Sequence, residues 1–477
     1  MNDPTIARRL RFLLALLIFV LVFEGIARKA LPPVYGVPLY LFKDVIVLVL
    51  GFYMVLMPLN PATAFLWNAY KILAVLFAPL IFETACHDPV LAVFGAKQYL
   101  LFPMVALAMF HAFEFSHMED ILVFYRWISL LVIPTAALAA VQLKLPHDHW
   151  LNRSVAGESL EDFQAAGQLR VSATFSFLAQ YCIFLNAEVS MLMLVLHDWR
   201  KQRWYWKLLL ASLIPLLVFS SFVTGSRGAV TGNLVIIMVG AALALVKLQV
   251  RSILQVALIV GGLYGAVGLV HHFFPDAMAA YSSRENGQLI GVSAEIRQRV
   301  WGTFYWIGQD RNLMTFLGNG LGVMSNGAGT FSLYAVGWRN AVWTEADFPT
   351  ILFEGGFYLA VIWYGFRLYI IGVTTIRFVG SLSGDFVAPI AFVQAFIIVI
   401  GLLGTLGTQP PIAIWWWMGV GTSLIFWWKC VGPPPPEEPL DGSFGKPRRL
   451  PRGRSLYAEV LHSPREQAVA KREKPPA

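Results

Sequence analysis

Three short stretches of this chain combine residues able to hold an anion with residues able to move a proton, and each adjoins an apolar run. The first is FSSFVTGSRGAVTGNLVIIM, residues 219–238, where Thr224-Gly225-Ser226-Arg227-Gly228 joins two apolar runs. Arg227 is expected to open a helix, beside first-turn N–H groups and the positive end of the helix dipole. That setting suits phosphate. An arginine that snorkels at a membrane boundary beside a glycine turn fits the same residues.

The second stretch is SAEIRQRVWGTFYWIGQD, residues 293–310, where Arg297 and Arg299 precede an aromatic-rich amphipathic segment and then LGNGLGVMSNGAG at 317–329. Its arginines suit an anionic ligand, and a helix lying on the membrane surface explains them equally well. The glycines bring backbone close to a ligand or simply turn the chain. They form no nucleotide-binding fingerprint, because no strand–turn–helix pattern surrounds them.

The third is WTEADFPTILFEGGFYLAV, residues 343–361, which places Glu345 and Asp347 at the lip of an apolar run and Glu354 one to two turns deeper. A carboxylate at a water-poor lip is a candidate general base. Pairing with nearby arginines is the alternative. The pairs His147/His149 and His271/His272 have no further ligand at metal spacing, and Cys86, Cys182 and Cys430 lie far apart. Neither a metal site nor a cofactor is expected.

The elements that must carry these residues follow from composition. Hydrophobic residues make up 57% and charged residues 13% of 477, against about 45–50% and about 25% in a soluble domain. With 16 Trp, 35 Phe and a mean hydropathy of +0.63, the chain is no soluble enzyme, disordered protein or disulfide scaffold. About twelve runs are long enough for a spanning helix. They lie at roughly 10–27, 38–57, 64–85, 98–113, 121–143, 173–196, 207–223, 228–247, 253–271, 347–369, 386–407 and 411–430. The runs are continuous, whereas the strands of a membrane barrel alternate.

Lys and Arg in the short loops set the orientation. With the N-terminus inside, Arg200, Lys201, Arg203 and Lys207 share one cytoplasmic loop, Lys247 and Arg251 the next, then Arg367 and Arg377. The tail beyond Lys429 adds nine more, so both termini are expected in the cytoplasm. The formal charge of +8 is thereby largely a topology signal, and no nucleic-acid partner is needed to explain it. Residues 1–431 form the polytopic membrane domain, with long external segments at about 144–172 and 272–346. Residues 432–477 read as a Pro-rich, basic, disordered cytoplasmic tail.

These clusters, in this order, resemble the O-antigen ligase/polymerase superfamily of bacterial envelope polysaccharide assembly. The resemblance rests on TGSRGA at 224–229, the arginines of the large loop, LGNGLG, and TEADFPTILFEGG. FEGIARKALPPVYGVPLYLFKD at 23–44, RVSATFSF at 170–177 and GTQPP at 407–411 extend it over nearly the whole chain and resemble a polymerase-like branch. It implies an all-α polytopic fold of about twelve transmembrane helices with a large periplasmic loop, in the bacterial inner membrane.

It also implies a metal-independent glycosyltransferase acting on undecaprenyl-diphosphate-linked glycans, donor and acceptor, without a cofactor. Carried onto this chain, Arg227 grips the diphosphate with Arg297 and Arg299, while Arg170, Arg28, Lys29 and Glu354 line the substrate site. Ligases of that superfamily carry a His before the last E-G. None stands there in this chain, so Glu345 or Asp347 is the substitute base and the polymerase reading is favoured. A chain-length regulator or other assembly protein is the partner such a polymerase implies. The alternatives are ligase-type transfer to a lipid or protein acceptor, transport of a lipid-linked glycan, and a membrane scaffold.

Overall fold

The structure is a computed structural model, and it describes residues 4–58, 60–155, 164–165, 168–196, 202–246, 250–275, 278, 316–325, 327–341, 346–381 and 387–431. Arg297, Arg299, Glu345 and the tail from residue 432 lie outside the described residues. Among the described residues the regular secondary structure is helical apart from a two-residue antiparallel ladder that pairs Gln164–Ala165 with Gln168–Leu169.

Among the described residues eleven helices come first: α1 Pro4–Ala30, α2 Gly36–Leu56, α3 Pro61–His87, α4 Pro89–Leu100, α5 Pro103–Phe113, α6 Met118–Ser129, α7 Val132–Lys144, α8 Leu178–Leu196, α9 Trp204–Val223, α10 Arg227–Leu245 and α11 Val250–Phe273. Short helices Ala328–Phe331 and Leu333–Ala341 follow, then the long helices Asp347–Gly380, Val387–Leu403 and Pro410–Val431. Among the described residues, eight helical stretches are long and apolar enough to cross a membrane, or nine if the bent pair α4–α5 forms one span.

Local sequence explains where these helices begin. Proline opens α3, α4 and α5, where its missing N–H and fixed φ do no harm. Asn60 caps α3 by accepting from Ala62 N at 2.7 Å, and Asp88 caps α4 by accepting from Val90 N at 2.9 Å and Leu91 N at 3.1 Å. Many outward faces stay apolar, Phe52, Phe82, Val93 and Val361 among them, as lipid contact requires.

Three helices form the interior. α5 is buried at every residue except His111, α8 from Tyr181 to Val195, and the last helix from Pro410 to Phe426, Trp415, Trp416 and Trp417 included. At one end of the bundle Arg11 donates to Ala112 O at 2.9 Å, Lys429 to Glu114 O at 2.6 Å and Arg377 to Ala62 O at 2.6 Å. The start of α1 and the end of the last helix therefore lie at the same end.

Several expected boundaries are corrected. The run expected at 98–113 is a pair bent by 43° that begins at Pro89. The run expected at 121–143 is one span, Met118–Lys144, with an irregular turn at Leu130–Leu131, where Pro134 has no N–H and Ile133 N bonds Leu130 O instead. The run expected at 347–369 continues to Gly380 and breaks at Gly355 (φ −139°, ψ 18°) and Gly356 (φ 60°, ψ −160°).

That last break changes two assignments. In an unbroken helix Asp347 and Arg367 would stand about 30 Å apart, yet their side chains form an ion pair. The Asp347–Glu354 half must therefore fold back along the half that follows. Glu354 stands at the bend, not one to two turns below Asp347. Arg367 is fully buried and belongs to no cytoplasmic loop, contrary to the expectation from charge placement.

Candidate functional site

The end of the bundle opposite Arg11 and Lys429 gathers cations from distant parts of the sequence. α1 delivers Glu24, Arg28 and Lys29 in its last two turns. Glu24 binds Arg28 at 3.1 Å and Lys43 of α2 at 2.8 Å, while Asp44 binds Lys97 of α4 at 2.6 Å. Three cations and two carboxylates thus tie three helices together. Each carboxylate removed would leave a buried cation unmatched, which is why such networks are strongly destabilised by single truncations.

Lys29 has a different environment. Its ammonium donates to Leu151 O at 3.0 Å and Ser172 Oγ at 3.2 Å, both neutral oxygens. Residues 171–176 form non-helical chain buried among the helices, one of the ways irregular backbone is tolerated at membrane depth. Gly25 makes this possible. A Cβ there would overlap Phe175 C and Ser176 N, and Ile26 N donates to Thr174 O at 2.7 Å. The E-G of the first motif thus seats RVSATFSF against α1.

The same segment leads to Arg227. Cys182 faces the hydroxyls of Ser226 and Thr224 and feels the charge of Arg170. Ser226 precedes Arg227, the first residue of α10, and Thr224 Oγ1 accepts from Ser226 N at 3.1 Å to shape the turn. Arg170, Arg227, Lys29 and Arg28 are therefore linked through neighbouring contacts at one end of the bundle.

The acidic motif reaches the same end by another route. Gly240 of α10 packs against the ring of Phe392 in the Val387–Leu403 helix. Going back thirteen residues in α10 and forward thirteen in its antiparallel neighbour, about 20 Å each, sets Arg227 level with the chain just beyond Gly404. Arg367 donates there, from Nε to Gly401 O at 2.7 Å and from Nη2 to Gly404 O at 3.0 Å. Its Nη1 pairs with Asp347 Oδ2, which also accepts from Tyr364 at 2.9 Å. Among the described residues Asp347 Oδ1 has no hydrogen-bond partner.

Glu354 and the glycine-rich segment act on each other. Glu354 is fully buried and accepts from Tyr99 Oη at 2.6 Å and from Met324 N at 2.9 Å. The helix break frees the Phe353 and Glu354 carbonyls, which accept from Asn319 N at 2.9 Å and Gly320 N at 3.0 Å. Gly318 (φ 76°) and Gly322 (φ 77°) allow the loop to meet Gly355 and Gly95 backbone directly. LGNGLG thus turns the chain onto the broken helix, the second of the two uses its glycines allowed, and Glu354 holds the junction.

Sequence reading passed over Glu24, Lys97, Arg367 and Tyr99. Glu24 and Arg28 stand four apart on one helix face, a pairing signal that was available. Lys97 sits in FGAKQYL with no local pattern, and Arg367 resembles any charge near a helix end.

Together, fold and site define a helical multi-pass membrane protein with a cationic cluster and a clasped carboxylate at one end. Compared with protein-family models, curated proteins and solved structures, the chain matches none.

Proposed function

We propose that this protein is an inner-membrane polysaccharide polymerase, which joins undecaprenyl-diphosphate-linked oligosaccharide repeats at the periplasmic face. The observation that carries the reading is the assembly of Arg28, Lys29, Arg170 and Arg227 at one end of a membrane bundle. Cations gathered at the end of a membrane bundle suit a diphosphate at the membrane surface. On this reading the chain crosses twelve times with both termini in the cytoplasm, α4–α5 counting as one crossing, and that end faces the periplasm.

In the reaction an acceptor hydroxyl attacks the anomeric carbon of the donor sugar, and the bond to the diphosphate oxygen breaks. The diphosphate leaves with the electron pair. Arg227, with Arg297 and Arg299, stabilises the charge that develops on it, an electrostatic contribution that is often the largest in catalysis. The hydroxyl proton passes to a carboxylate of the TEAD motif. Asp347 Oδ1, without a partner among the described residues while Oδ2 is held by Arg367, supports Asp347 in this role beside Glu345.

The test is polymer length in cells that carry Arg227→Ala at unchanged membrane level. The reading expects the ladder of repeats on the carrier lipid to collapse to single units. Normal ladders would overturn it. Purified protein in liposomes with a lipid-linked donor separates bond formation from movement of the lipid across the membrane.

A further inference from the structure

We propose that Glu188 is a proton-binding site in the interior of the bundle, and that α7 links its proton to the chain that holds Lys29.

Glu188 stands in α8 about 15 Å from Leu178 and about 12 Å from Leu196, and it is fully buried. Among the described residues neither of its carboxyl oxygens has a hydrogen bond of normal geometry. Ser129, the last residue of α6, is the side chain that faces it. The titratable groups of the helices packed against α8 are engaged elsewhere or stand at helix ends. On α6, Tyr125 bonds Thr422 and Arg126 lies over the Trp206 ring, with Glu119 and Asp120 in the first turn. Tyr205 and Lys207 open α9, Arg227 opens α10, and Lys429 and Cys430 close the last helix. The Val387–Leu403 helix carries none.

A carboxylate buried with one hydroxyl and no cation is too costly to persist, so the group takes up a proton. Ligand count selects the proton as well. A hard metal cation needs about six oxygens, and Ser129 supplies one. A carboxylic acid needs only an acceptor for its O–H, which Ser129 Oγ is. Ionisable side chains inside membrane spans are as a rule functional, and this one adjoins a turn.

α8 holds both sides of the irregular turn at Leu130–Leu131. Glu188 faces Ser129 just before it. Tyr181, two turns back on the same face of α8, faces Thr135 of α7 just after it, together with Ser220 of α9. α7 then runs to Gln142, whose amide donates to Leu151 O at 2.8 Å. Lys29 Nζ donates to that same carbonyl at 3.0 Å. Loss of the proton would turn Ser129 from acceptor to donor and draw water toward the new charge. The turn must then shift, and α7 carries the shift to Lys29.

Infrared spectra of the full chain in nanodiscs test this. At neutral pH the difference between the unaltered protein and Glu188→Gln should contain the C=O stretch of a protonated carboxylic acid, and Ser129→Ala should move that band. Glutamine matches the neutral acid in size, so the melting temperature should hold. A band that Ser129→Ala moves identifies Glu188 even where Glu188→Gln is poorly made. Raising the pH should bleach the band in one step. Gln142→Leu, which touches Leu151 and not Glu188, should change the proton affinity read from that step at least about fivefold, because coupling between sites is reciprocal.

Loss of a carboxylate band, in place of an acid band, in Glu188→Gln at neutral pH would overturn the proton site. An unchanged step in Gln142→Leu would overturn the link through α7.

Discussion

Asp347 and Arg367 stand 20 positions apart in one helix and share a buried ion pair, with Tyr364 donating to the same carboxylate oxygen at 2.9 Å. The pair exists only because Gly355–Gly356 lets the first half of that helix fold back. It clasps the acidic motif to the end of the Val387–Leu403 helix through the carbonyls of Gly401 and Gly404. Asp347→Asn should lose about 3–5 kcal/mol of stability, because Arg367 keeps its charge in a buried site. Asp347→Leu combined with Arg367→Met should lose much less. Thermal unfolding in nanodiscs checks both, and equal losses would deny the pair its structural role.

Gly356→Ala is expected to damage the same clasp. Its φ of 60° and ψ of −160° lie where an alanine is strained, at about 1–3 kcal/mol. Gly365 lies in the same helix with nothing within 4 Å of its would-be Cβ, so Gly365→Ala should be neutral or gain up to about 1 kcal/mol. The two variants measured side by side separate backbone strain from a general intolerance of the helix.

Gly25→Ala tests the seat of the RVSATFSF segment. The added methyl overlaps Phe175 and Ser176 backbone, which must move away from α1. Lys29 then loses Leu151 O and Ser172 Oγ. Activity should fall at least as far as in Lys29→Gln, while the protein still reaches the membrane. Full activity in Gly25→Ala would show that this contact does not position Lys29.

Asp88 gives a prediction in pH. A hydrogen bond from Ser332, followed by those from Leu91 and Val90 N–H, holds its carboxyl below the ordinary 3.8. The folded value is depressed, so the stabilisation is complete above 3.8 and is lost as pH falls through the lower folded value. Asp88→Ala should lose about 0.5–2 kcal/mol of helix capping near neutrality. That deficit should shrink in strong acid. A deficit independent of pH would mean that the cap does not depend on the charge.

The helical membrane character and the ends of most helices were legible in the sequence, because apolar runs and Pro, Asn and Asp punctuation are local signals. Arg28, Lys29, Arg170 and Arg227 were legible for the same reason: a charge beside an apolar run must be explained. What the sequence hid were events between segments. Nothing in TEADFPTILFEGG shows that Asp347 will meet Arg367, since an ordinary helix would separate them, and the glycine pair alone does not tell a bend from a close approach. Lys97 escaped because its partner, Asp44, lies 53 residues away and no periodicity links them.

The buried position of α5 bears on how the chain is built. This helix packs against α1 and α2, made early, and against Pro410–Val431, made some 300 residues later. Its apolar surface cannot find its final neighbours until that last helix has entered the membrane, whatever the earlier segments have achieved. The bundle closes like a ring whose clasp is its final link. Truncation before Pro410 should therefore leave a protein whose centre is open to lipid, a state that membrane quality control can recognise long before any missing activity is felt.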